Sequence, residues 1–153
     1  MRWASLLALL LALSGCSILE PLVKPAPSPA PMTLVAPPPD PRLAMIECRK
    51  DALIRQLATC ESGDWGPSEK RIYGGRGLYH GRLQFMVRTV QNFVLQMDGR
   101  ALTVKEATDI AHDYDRAADL AKYIIFDLDG IGNWPACARK LNLRAEIAAI
   151  RQL

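Results

Sequence analysis

The stretch Leu53-Ile54-Arg55-Gln56-Leu57-Ala58-Thr59-Cys60-Glu61-Ser62-Gly63 carries the reading of this chain. Leu53, Ile54 and Leu57 recur at helical spacing, and upstream Leu43 and Ile46 fall on the same arc, so a buried stripe is expected from Arg42 onward. Lys50 sits inside that arc and must snorkel or mark a looser start to the helix. Ser62 to Gly81 holds six glycines and a proline, which predicts loop with a short hairpin around Arg71-Ile72-Tyr73. Beyond it, Leu83 to Met97 reads as a second apolar helix closed by Asp98-Gly99. Thr103-Val104-Lys105-Glu106 is a capping box. Asp113 caps a helix running to about Leu128, with Ala117, Leu120, Ala121, Ile124 and Leu128 on one face, stopped by Gly130 and Gly132. Pro135 suits the first turn of a short helix, and Arg144 to Leu153 forms the last. The expected domain, residues 42–153, is mainly helical, with a glycine-rich loop or short hairpin lining a cleft.

Outward toward the N-terminus the composition changes. Nine of the eleven prolines lie between Pro21 and Pro41. Residues 16–41 cannot sustain a helix or a central strand. As an extended stem, Ser17 to Asp40 would reach roughly 70 Å at ~3.1 Å per residue. Ahead of it, Trp3 to Leu13 is apolar save for Ser5, too short to span a bilayer but suited to a signal peptide over residues 1–15. Leu13-Ser14-Gly15-Cys16 resembles the lipobox of bacterial lipoproteins. That resemblance implies cleavage before Cys16 and its lipidation, palmitate among the acyl chains, which would anchor the protein at a membrane. Ser17, where Asp would favour the inner membrane, points to the outer membrane, with the protein facing the periplasm.

With Cys16 lipidated, Cys48, Cys60 and Cys137 remain in an oxidising compartment. On one continuous helix Cys48 and Cys60 would stand ~18 Å apart along the axis, beyond the ~7 Å Cα separation a disulfide tolerates. Any bridge among these three therefore uses Cys137, with Cys60 or Cys48. Cys48 points away from the core, which favours Cys60 and leaves Cys48 as a route to a dimer.

Net charge is +3, too weak a basic excess for a nucleic-acid binder. No metal cluster, phosphate loop, cofactor motif or Ser-His-Asp arrangement stands out. Glu61 falls about 40° from Leu57 on the helical wheel, at ~100° per residue. It thus sits at the end of the first helix on its buried side. A carboxyl there, beside a glycine-rich cleft, would be desolvated and its pKa raised, as a general acid for glycosidic cleavage requires.

Three motifs in order, Cys60-Glu61-Ser62-Gly63, then Tyr79-His80-Gly81-Arg82-Leu83-Gln84-Phe85, then Asn133-Trp134-Pro135-Ala136-Cys137, resemble the transglycosylase-like lysozyme superfamily, in particular its resuscitation-promoting-factor type. The resemblance spans about Leu53 to Leu143 and implies a lysozyme-like α+β fold. It implies that Glu61 is catalytic, that Ser62 supports the turn and the cleft, and that the amide of Gln84 contacts sugar or glutamate. Tyr79 and Asn133 would bind substrate. Trp134 would line the cleft or pack in the core. It also implies a Cys60–Cys137 disulfide.

Two departures bear on the subsites. Arg71-Ile72-Tyr73-Gly74-Gly75-Arg76 is more basic than the family's usual loop, and Arg82 stands where glycine is common. Basic residues dominate Lys70 to Lys105, where Asp98 is the lone acid, and a basic wall would suit anionic wall peptides. His80 reads as an exposed loop histidine without a role. The motifs supply one carboxylate where a conventional glycosidase brings two, and Asp64 is the nearest second. By resemblance, Glu61 would protonate the leaving oxygen of the MurNAc-GlcNAc β-1,4 bond of peptidoglycan and then deprotonate the sugar's own 6-hydroxyl, leaving a 1,6-anhydro end. Alternatives are a non-catalytic peptidoglycan-binding lipoprotein and a phage-type lipoprotein that bridges membranes.

Overall fold

The computed structural model describes residues 40–153; the signal, lipidation and stem readings, Cys16 included, lie outside them. Helix α1 runs Pro41–Ser62, with Asp40 capping its start through the Arg42 N–H and Gly63 ending it in the left-handed region. Leu53, Ile54 and Leu57 are buried as the stripe predicts, and Ile46 packs against the core from the side. Leu43 does not join them and is 60% exposed. The first turns of α1 run past the core's edge, so the periodic pattern outlasts the surface it could cover. Lys50 snorkels as expected, its ammonium 5.3 Å from the centroid of the Phe126 ring and 2.7 Å from Glu47.

The glycine-rich stretch folds into a small antiparallel sheet of three two-residue strands in chain order, β1 Tyr73–Gly74, β2 Tyr79–His80 and β3 Phe85–Met86. Tyr73 pairs with His80, and His80 with Phe85. The hairpin is thus displaced C-terminally from Arg71 and extended by a third strand. Helix α2, Val87–Asp98, begins four residues after the expected Leu83 because Phe85 and Met86 are taken by β3. Its Gly99 C-cap is left-handed.

Local caps set the remaining helices. Helix α3, Val104–His112, opens on a reciprocal Thr103–Glu106 capping box. Helix α4, Tyr114–Lys122, opens on Asp113. A π-turn, Tyr123–Asp127, follows, and this widening turns Leu128 out to 41% exposure instead of extending the α4 face that buries Ala117, Leu120 and Ala121. Helix α5, Pro135–Lys140, and α6, Leu143–Arg151, close the domain. The core joins Leu53, Ile54 and Leu57 of α1 to Val90, Ile110, Leu120, Ile124 and Ile147 of the other elements. The result is a mainly helical domain with one small sheet. Among the described residues no helix is long and apolar enough to cross a membrane.

Candidate functional site

Glu61 is the penultimate residue of α1 and is half-buried. Burial alone raises its carboxyl above the ordinary carboxylate value. Among the described residues it makes no salt bridge, so its proton is bound more tightly without being claimed by a neighbour. The adjacent Cys60 is joined to Cys137 of α5, with Cα atoms 5.9 Å apart, which ties the end of α1 to the C-terminal part of the domain. Cys48 is exposed and, among the described residues, has no disulfide partner.

The residues around Glu61 are engaged locally. The Ser62 hydroxyl lies 3.1 Å from the Ala58 carbonyl and 3.2 Å from that of Asp64, so it stitches the helix end to the turn. Gln84 has φ +51, and its amide nitrogen donates to the Gly81 carbonyl at 2.8 Å. Its amide oxygen occupies the space a Cβ on Gly74 would need. Gln84 therefore ties the turn before β3 to β1. Tyr79 lies on β2, partly exposed, its ring covering Gly75. Asn133 is exposed and bonds its own turn through the Gly130 carbonyl at 2.8 Å.

Trp134 is a core residue and not a cleft wall. It is 4% exposed, its ring meets Phe85 at 5.3 Å, and its indole N–H donates to the Leu83 carbonyl at 2.8 Å. A buried indole needs such an acceptor, and Leu83 provides one where the chain turns into β3. His80 is likewise not an exposed loop residue. It lies half-buried on β2 within a cluster of three rings, 5.3 Å from Tyr73 and 5.5 Å from His112. Tyr73 and His112 themselves stand 4.9 Å apart.

Two features escaped sequence reasoning. Trp65 is partly exposed beneath the Arg55 guanidinium, 4.6 Å from ring centroid to cation, and separates two cavities of about 280 and 390 Å³. Asp51, Tyr114 and Lys122 line the first, Gln56, Thr59 and Lys140 the second; Glu61 lines neither. Arg82 reaches from the β2–β3 turn to the turn after Glu61, with its Nε 3.2 Å from the Gly66 carbonyl. Arg82 stands out in the sequence as a departure, but neither its contact nor that of Trp65 was legible, because a single Trp or Arg in a loop carries no periodic signal. Among the described residues no cluster suited to a metal ion occurs. Compared with family models, curated proteins and solved structures, the chain matches none of them.

Proposed function

We propose that this protein cleaves peptidoglycan glycan strands by a single-glutamate mechanism of the lytic transglycosylase type, on a lysozyme-like domain. The observation that carries the reading is Glu61: a half-buried carboxyl at a helix end, held above its ordinary pKa by desolvation and claimed by no ion-pair partner. Such a group keeps its proton nearer neutrality and can give it to a leaving glycosidic oxygen. The ordered motifs around Cys60-Glu61-Ser62-Gly63, Gln84 and Trp134-Pro135 support the same reading. In the mechanism, Glu61 donates its proton as the glycosidic bond breaks. It then takes the proton of the sugar's 6-hydroxyl as that oxygen closes on the anomeric carbon. No water is consumed.

The lipobox at Cys16 and the stem through Pro41 support a lipid-anchored outer-membrane protein that reaches the wall from the periplasmic side. The test is Glu61→Gln. This variant is isosteric but has no proton to give, and loss of general-acid assistance costs about 10²–10⁴-fold in rate. It should fold and bind purified sacculi while releasing almost no muropeptide. Wild-type products should end in 1,6-anhydro sugars. Wild type that binds sacculi without turnover would instead make this a binding lipoprotein, and equal turnover by both proteins would remove Glu61 from the site.

A further inference from the structure

Glu61 and Asp64 flank the left-handed turn at Gly63, and their surroundings are opposite. Glu61 is half-buried and has no ion-pair partner among the described residues, whereas Asp64 has a side chain 64% exposed with both oxygens engaged. Its Oδ1 accepts the Trp65 backbone N–H at 2.8 Å, and its Oδ2 lies 3.3 Å from an Arg82 guanidinium nitrogen. Arg82 is set deep for an arginine, its side chain 16% exposed, and its Nε donates to the Gly66 carbonyl. One guanidinium thus spans both ends of the turn that follows the glutamate.

The segment carrying Arg82 is tied at several points. Gly81 has φ +72 and leaves no room for a Cβ beside the Ala111 carbonyl, the Leu83 carbonyl accepts the Trp134 indole N–H, and the Gln84 amide bonds back to Gly81. A planar guanidinium on such a base holds its partners in a fixed geometry that a mobile ammonium would not.

We propose that Arg82 is a positioning residue that straps the Asp64–Gly66 turn and withholds Asp64 from the reaction, so that Glu61 acts alone and the anhydro product results. This rests on the reading of Glu61 given above. Hydrolysis by the inverting route would need a second carboxylate, besides Glu61, to take a proton from a water attacking the anomeric carbon on the opposite face of the ring. Both oxygens of Asp64 are already engaged, one by a backbone N–H and the other by a guanidinium, so an attacking water would have to compete for them. The ring's own 6-hydroxyl, whose proton returns to Glu61, then closes the bond instead.

The experiment digests purified sacculi with wild type, Arg82→Ala, Asp64→Asn and the double variant, and weighs anhydro against reducing ends by mass spectrometry. Arg82→Ala should raise the reducing-end share on the order of two- to fivefold, the range expected of a partly exposed ion pair. Asp64→Asn alone should keep the wild-type share, and so should the double variant, because the strap acts through Asp64. Arg82→Gln, which can still donate to Gly66 but does not hold Asp64 by charge, should raise the share too and serves if the alanine variant fails to fold. An unchanged share in Arg82→Ala or Arg82→Gln overturns the strap while leaving Glu61 in place, as does an equal rise in the double variant. Products from wild type that are mainly reducing ends also overturn it. Absence of any wild-type product overturns the reading of Glu61, and this one with it.

Discussion

The imidazoles of His80 and His112 meet edge to face with centroids 5.5 Å apart, joining β2 to the end of α3. The Nδ1 of His112 accepts the Ile72 N–H at 3.3 Å, which leaves its Nε2 as the protonated nitrogen of the neutral ring. That Nε2 and the Nδ1 of His80 are buried without a hydrogen-bond partner among the described residues. Desolvation first, and then the nearby Arg71 guanidinium, lower both pKa values below 6.5; on His112 the His80 charge adds to this and Asp109 opposes it.

A pH dependence follows, with its sign set by those shifts. Below about 6.5 the unfolded chain binds protons that the folded chain resists. The neutral pair therefore contributes its full stability above that pH and loses it as pH falls toward the folded values. Thermal midpoints should decline from pH 7 to 5 more steeply in wild type than in His80→Phe, which keeps a ring but cannot charge. Parallel declines would take His80 out of the account.

Gly81 is required twice over. Its φ is +72, and a Cβ there would overlap the Ala111 backbone oxygen. Gly81→Ala should cost roughly 2 kcal/mol or more in denaturant unfolding, because backbone must move as well as strain. Gly77→Ala has φ +90 but open space around it, and should cost only about 1 kcal/mol. Equal costs for the two would mean that the α3 end yields freely to β2.

The Cys60–Cys137 bridge closes a separation of 77 residues, worth roughly 4.5 kcal/mol in the chain-entropy picture. Reduction should lower the thermal midpoint substantially. In the native protein a thiol reagent should modify Cys48 alone, with Cys60 and Cys137 reacting only after reductant is added. A single labelled site at either of those two would contradict the pairing.

Cys16→Ser tests the anchor. If Cys16 is lipidated, the variant should move from the membrane fraction to the soluble periplasmic fraction. A variant that stays with membranes would place the anchor elsewhere.

What could be read from residue order alone is what depends on near neighbours in the chain. The Thr103–Glu106 box, the Asp113 cap, Pro135 at a helix start and the closing glycine at Gly99 all act within one helical turn, so spacing displays them directly. The same holds for the buried stripe of α1 and for Glu61 at its end. Tertiary structure decided the rest, because it depends on which distant groups compete for one partner. Trp134 sits in the core because the Leu83 carbonyl, 51 positions away, accepts its indole. His80 is covered because α3 brings His112 against it. Leu43 and Leu128 satisfy the helical period yet stay exposed, since periodicity marks a face and not what covers it. Gln84 and Ser62 turn to backbone carbonyls near them, Gly81 for the one and Ala58 and Asp64 for the other. The hold of Arg82 on Asp64 joins two loops eighteen positions apart, and only the folded chain brings that pair together.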